Sequence, residues 1–361
     1  MKQVQAPLGA LVAAVVLASI AACGGSSHTN MQSMQYQVSA LVSDGAVAAA
    51  HVDANLKNPW GVAFNSKGFA WVADNGTQHA TLYDGNGVPQ SLVVTIPAGK
   101  SGDADPTGIV FNGTTDFMVT QGAKSGPAVF IFVGEGGTMT AWSPTVNPTS
   151  AVTVFDSGGS AVYKGLAMAS NNGANFLYAT DFHNNKIDVF DRTFTKVTLA
   201  GTFQDPTLPA GFAPFGIQLI DSKLFVSYAK QDAAAHDDVA GAGMGLIDVF
   251  SPSGQFIQRF ATGGVLNAPW GMALSPADFG RFSHAVLIGN FGDGMIHAFD
   301  PITGSMLGNL EQHPGTPIVE SGLWGMAFGN GLDSQPSNTL FFAAGLNDEA
   351  DGLYGRIDVG R

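Results

Sequence analysis

One cysteine, Cys23, occurs in 361 residues, so the chain cannot close a disulfide within itself. Charge is scarce as well: Asp, Glu, Lys and Arg make up 12% of the chain, and 15 basic residues face 28 acidic ones. The formal net charge of −13 speaks against a nucleic-acid partner and against electrostatic attachment to anionic lipid. No Gly-x-Ser-x-Gly turn is present to carry a nucleophilic serine. Beyond the first twenty or so residues there is no long amphipathic helical pattern, and so no helix for a phosphate-binding glycine loop to open. His79, His183, His236 and His297 lack the close spacing of a local zinc motif, so zinc would need several of them to converge from different repeats. What the chain has in plenty is glycine, 47 residues, beside short apolar runs. That combination suits buried strands joined by tight turns.

The N-terminus is set apart from this pattern. Met1 and Lys2 give a short positive start, residues 6–20 are apolar, and Ile20-Ala-Ala-Cys23 closes the segment. The order is that of a secretory signal peptide over residues 1–22. Its ending resembles the bacterial lipobox, which implies lipid attachment at Cys23 and export to a membrane. Gly24 after the cysteine leans toward the outer membrane if the source is Gram-negative. Residues 23–35 are small and polar and read as a flexible tether, leaving residues 36–361 for the folded domain.

Six copies of one motif organise that domain. They lie at residues 58–64 (Asn-Pro-Trp-Gly-Val-Ala-Phe), 105–111, 163–168, 213–218, 268–273 and 322–328, and they share Gly61, Gly108, Gly165, Gly216, Gly271 and Gly325. Successive glycines are 47, 57, 51, 55 and 54 residues apart, about one propeller blade. Each motif opens an apolar run, and second strands are expected at residues 69–73, 116–120, 176–180, 224–228, 285–289 and 340–344. Third strands recur as Ile-Asp-Val-Phe or close variants at 187–190, 247–250, 296–299 and 357–359. Turn signals and a fourth strand follow, as at residues 91–96 and 256–260. The fold class is therefore all-β: a six-bladed β-propeller with four-stranded blades. The last repeat ends on its third strand, while an unassigned strand at residues 36–42 precedes the first motif. That N-terminal strand is expected to complete the sixth blade and close the ring.

The Pro-Trp-Gly motif followed by Trp71-Val-Ala-Asp-Asn75 resembles the NHL-type repeat. More specifically, residues 229–243, 267–271, 276–280, 289–294 and 347–352 resemble an uncharacterised family of secreted bacterial six-bladed propellers. The resemblance implies that loops between strands four and one, and between strands two and three, share one face. On that face the residue before each motif glycine would ring the channel mouth: Trp60, Thr107, Lys164, Phe215, Trp270 and Trp324. The aromatics among them, Trp60, Phe215, Trp270 and Trp324, are candidate ligand contacts, because such rings stack on sugars or anchor peptides.

Two insertions add a second candidate. Residues 230–243 and 347–352 bring Asp237, Asp238, Asp348, Glu349 and Asp351 toward the same face, where their oxygens suit calcium. Taken together, the sequence reads as a membrane-anchored binding scaffold for a protein, glycan or small molecule. The alternative is a metal-dependent hydrolase resembling sugar-lactonase propellers. Those place an aspartate before the motif glycine, whereas this chain carries Trp, Thr, Lys, Phe, Trp and Trp there.

Overall fold

The structure, a computed structural model, describes residues 35–360. The signal peptide, Cys23 and the tether before residue 35 lie outside the described residues. Six sheets, antiparallel but for the short strand His51–Val52 that pairs parallel with Tyr36–Ser43, are built on the motif strands Pro59–Phe64, Pro106–Phe111, Tyr163–Asn171, Phe212–Ile220, Pro269–Leu274 and Leu323–Phe328. Each is the innermost strand of a four-stranded blade whose strands pair in order outward, the fourth strand of blade six coming from the N-terminal strand. Among the described residues the one α-helical segment is the four-residue Leu346–Glu349.

The motif glycines explain themselves at the axis. A Cβ on Gly61 would stand 2.6 Å from the carbonyl oxygen of Thr107, and one on Gly108 would stand 2.5 Å from the amide nitrogen of Leu166. Gly165 meets Phe215 in the same way, Gly216 meets Trp270, and Gly271 meets Trp324. Gly325 then meets the carbonyl of Trp60, so the sixth blade docks on the first and the ring closes. Any side chain at these positions would push adjacent inner strands apart.

Away from the axis, blades pack face to face. Trp71 of blade one stacks on Phe130 and leans on Trp142 of blade two, with ring centroids 4.2 and 4.7 Å apart. Strands flanked by a neighbour on both sides, such as Ala70–Asp74 and Phe130–Gly134, are buried along their whole length. Their sequences are accordingly continuous apolar runs, without the alternation of a half-exposed strand.

The strand Tyr36–Ser43 pairs antiparallel with Asp351–Val359 as the outer strand of blade six, so the expected clasp is present. Tyr36 reinforces it by donating its hydroxyl to the Phe279 carbonyl at 2.9 Å and accepting the Phe282 amide at 3.2 Å. One strand expectation is corrected. Residues 116–120 are not the second strand of blade two; that strand is Phe130–Gly134, paired with Pro106–Phe111. The strand Met118–Gln121 instead forms an inserted hairpin with Lys124–Pro127. The apolar run at 116–120 imitates a blade strand because Phe117 and Val119 are buried, packed in one cluster with Ile131 and Met139 of the blade.

The axial channel is asymmetric. One end opens as a cavity of about 520 Å³ walled by Phe64, Phe111, Met168, Leu274 and Phe328. It narrows to about 40 Å³ at the glycine ring. The other end, where the motif strands begin, carries the long loops.

Candidate functional site

The site is the loop-bearing mouth of the channel. Of the six residues that precede a motif glycine, the four aromatic ones interlock in one cluster. Trp60 and Trp324 stack with centroids 3.4 Å apart, and Phe291 covers the other side of Trp324 at 4.0 Å. Trp270 stands edge-on to both indoles at 5.8 and 5.9 Å, while Phe215 meets Trp324 at 5.7 Å. The structure thus brings the four predicted aromatics together, but as a buried plug: Trp60 is 2% exposed and Trp324 1%. They form the floor of the mouth and close the channel. Thr107 takes no part in the plug; its hydroxyl donates to the Tyr163 carbonyl at 2.9 Å and ties blade two to blade three.

Lys164, the sixth member of the ring of positions, is 1% exposed. Its ammonium lies 5.2 Å from the Trp60 ring centroid, pairs with Glu135, and reaches Asp237 at 3.3 Å. Burial works against its charge, but Glu135 and Asp237 outweigh that and hold the amine above the ordinary lysine value. Glu135 arrives from the turn between strands two and three of blade two, a Gly-Glu-Gly-Gly turn with no sign of function beyond its position in the blade. An amide relay supports it. Asn58 donates to Asn75 at 3.2 Å, and Asn75 donates to the second oxygen of Glu135 at 2.9 Å. Beside the relay, Gln78 donates to Asp105 at 2.6 Å and accepts its backbone amide at 2.8 Å.

The predicted acidic residues divide. Burial disfavours ionisation of Asp237, yet Lys164 and His236 outweigh it and keep the carboxyl below its ordinary value. Its neighbour Asp238 goes the other way: burial pushes it up to about 7, with Lys164 pulling back and Glu349 adding to the rise. Glu349 is itself raised by burial and by Glu135, against the pull of Lys164 and a contact from the Asn58 amide. Burial likewise raises Asp105. Asp348 is exposed, and Asp351 is turned away to accept Asn347 at 2.7 Å and to pair with Lys57 at 3.5 Å. The left-handed backbone at Asn347, Asp348 and Glu349 (φ 52°, 53° and 65°) accompanies this split along three consecutive residues.

Glu135, His236 and Asp237 present atoms within 4.8 Å of one another. Between two of them, however, sits the Lys164 ammonium, a built-in cation in the place a metal would take. The four histidines do not converge. His236 is at the mouth, 3.1 Å from Asp237, and His183 contacts the Ala235 carbonyl at 3.2 Å. His297 is buried between Asn290 and Asn309 within blade five.

By fold the protein is thus a six-bladed propeller with one plugged, acidic mouth. No family model matches the chain. It is 34% identical over 332 residues to the uncharacterized protein R648 of Acanthamoeba polyphaga mimivirus, covering 89% of this chain and 80% of that one. It is 33% identical over 331 residues to the uncharacterized protein L690 of the same virus, covering 89% and 85%. The chain belongs to the family of these proteins. Among solved structures it resembles virginiamycin B lyase from Staphylococcus aureus, with a TM-score of 0.52 and 14% identity over 90% of this chain and 100% of that one. It also resembles the PQQ-bound aldose sugar dehydrogenase of Streptomyces coelicolor, with a TM-score of 0.51 and 14% identity over 91% and 99% of the two chains. A gluconolactonase from Xanthomonas campestris matches with a TM-score of 0.50 and 11% identity over 85% and 87%. At these identities the likeness concerns the propeller fold.

Proposed function

We propose that the protein is a binding module whose ligand surface is the acidic mouth, and that its ligand is small, polar and rich in hydroxyl groups. One observation carries this reading. Among the described residues, six of the fourteen buried side-chain atoms without a hydrogen-bond partner lie at the mouth and its floor. They are the indole nitrogens of Trp60, Trp270 and Trp324, and the oxygens of Asn58, Asp238 and Glu349. Buried polar atoms left unpaired cost about 1–3 kcal/mol each, so donors and acceptors gathered in one recess call for a partner that can both give and accept hydrogen bonds. A hydroxylated ligand does both. Three of the five tryptophans form the floor, so tryptophan emission during titration with sugars and polyols, guided by a glycan array, tests the reading. Saturable change that Trp270→Phe weakens supports it; no response across the panel sinks it.

The N-terminal sequence supports delivery of this module to a membrane through lipid on Cys23, with the mouth open to a glycan, protein or small molecule. Mass spectrometry of the membrane fraction would find an acylated Cys23, and Cys23→Ser would release the protein.

A hydrolase reading draws on a different observation, the opposed behaviour of Asp237 and Asp238. Adjacent carboxyls held apart in this way are suited to base and acid roles, and propellers of similar fold include enzymes. Turnover of lactones or esters that Asp238→Asn abolishes would establish it.

A further inference from the structure

We infer that the outer edges of blades four and five form a lipid-contacting face, which lies on the bilayer and turns the acidic mouth toward water. The inference rests on the reading of Cys23 as a lipid-bearing residue, and adds which surface that lipid brings to the membrane.

Strand direction fixes where the face lies. Motif strands begin at the mouth, so in each antiparallel blade the turn from third to fourth strand falls at the opposite end. In blade four that turn joins Gly245–Phe250 to Phe256–Thr262; in blade five it joins Ile296–Phe299 to Met306–Asn309. Five large apolar side chains at these turns stand in solvent: Phe256, Ile257, Ile302, Met306 and Leu307, with Ile302 81% exposed. The two edges adjoin, since a Cβ on Gly304 of the blade-five turn would run into the Phe260 carbonyl of blade four.

The described chain begins beside this edge. Tyr36 pairs with Val359, at the end of the third strand of blade six, and so sits away from the mouth. Its hydroxyl bonds to the backbone of Phe279 and Phe282 in blade five. The Phe282 ring in turn fills the space that a Cβ on Gly308, in the outer strand of that blade, would need. Cys23 precedes Gln35 by 12 residues, a length that spans at most about 40 Å. Lipid at Cys23 therefore brings this corner of the domain to the bilayer.

Charge is the second, independent observation. Residues 251–258 and 301–310 contain no charged side chain. The charges that flank them are spent: Asp300 accepts the amides of Ile302 and Thr303, and Arg259 pairs with Asp205 and Asp248. In blade three the corresponding turn and strand carry exposed Arg192 and Lys196 instead. An apolar edge without charge enters the headgroup region without desolvating an ion, whereas the carboxylates of the mouth would have to lose their water. Five side chains alone make a weak interfacial contact, so the lipid holds the protein and the edge orients it.

The chain has one cysteine, and lipid on it leaves Ile302→Cys as the single free thiol for a polarity-sensitive nitrobenzoxadiazole probe. The acylated variant is reconstituted in phosphatidylcholine vesicles, with Val239→Cys on the mouth insertion as the control. The probe at 302 should shift to the blue and be quenched by spin-labelled lipid at least fivefold more strongly than the probe at 239. Iodide in the water should quench the two in the reverse order. Met306→Cys should repeat the result at 302, and all three variants should melt with the wild type because the replaced side chains are exposed. Equal iodide quenching at 302 and 239 overturns the lipid face. A blue shift at 302 without spin-label quenching also overturns it, and shows a second copy seated on the edge. Mass spectrometry of Cys23 separates this idea from the anchor. If Cys23 carries no lipid, the anchor reading fails, and the edge is tested with Cys23→Ser held on nickel-chelating lipid by a C-terminal histidine tag. The tag approaches from the same corner, because Gly360 donates its amide to the Gln35 carbonyl. Protection at 302 in that arrangement upholds the lipid face without the anchor; exposure there removes both.

Discussion

Lys164 and Glu135 come from different blades and form a buried ion pair directly over the aromatic plug. Breaking such a pair on one side costs more than the pair itself is worth, because the remaining charge has lost its partner. Lys164→Met should therefore destabilise the protein by about 3 kcal/mol in urea unfolding at neutral pH. Adding Glu135→Gln should restore much of the loss. Asp237, the other partner, is 66% exposed and should contribute little to the penalty. Equal stabilities of the single and double variants would show that the pair does not act as a unit.

Glu320 gives a pH dependence with a definite sign. Burial raises its carboxyl from 4.5 to about 7. Between those values the folded state holds a proton that the unfolded state has released. Stability from this group is thus complete at low pH and declines as pH rises from about 4.5 toward 7, with a slope of at most about 1.4 kcal/mol per pH unit. Asp238, pushed up to about 7, adds in the same direction. Melting temperatures recorded from pH 4.5 to 7.5 should fall, and Glu320→Gln should flatten the decline. A wild-type slope retained in that variant would exclude Glu320 as its source.

The fold was legible because its constraint is local and repeated. Each motif glycine is required by one contact with the next blade, so the requirement recurs once per blade and shows as a period. The second strand of blade two was misread because an apolar pair, Phe117 and Val119, imitates a blade strand while serving an inserted hairpin. At the mouth, the motif spacing located the aromatics and Lys164, since each precedes a motif glycine. It could not show that Trp60, Phe215, Trp270 and Trp324 bury one another, which depends on side-chain packing across the axis. Glu135 and Asn58 were invisible as site residues because nothing in a turn glutamate or a pre-proline asparagine announces its partner, Lys164 one blade on for Glu135 and Asn75 for Asn58. Of the five predicted acidic residues, only position within the loop fold separates Asp238 and Glu349 from Asp348 and Asp351.

Gly325 tests the packing of the inner strands. A Cβ there meets the Trp60 carbonyl, which belongs to an inner strand paired with Ala70–Asp74 and packed between the inner strands of blades six and two, with little room to yield. Gly325→Ala should cost at least about 2 kcal/mol, toward the upper part of the usual range for overpacking. Gly68→Ala is the control: its Cβ would meet only the Asn65 side chain, at 3.9 Å, and the change should stay within about 0.5 kcal/mol. Similar costs for the two would remove the close-approach explanation of the motif.

Tyr36 tests closure of the ring from the other end of the chain. Its hydroxyl serves Phe279 and Phe282, residues more than two hundred positions later, and the ring packs 4.8 Å from Phe279. Tyr36→Phe keeps the ring and removes only the hydroxyl, leaving a buried carbonyl and a buried amide without their partner. The expected loss is about 1–3 kcal/mol. The loss should appear as a single shifted transition if the N-terminal strand unfolds together with blade six. A separate early transition, with faster amide exchange confined to residues 36–43 and their partners at 353–359, would mean that the clasp opens without the ring. An unchanged melt and unchanged exchange would show that this strand contributes nothing to closure through Tyr36.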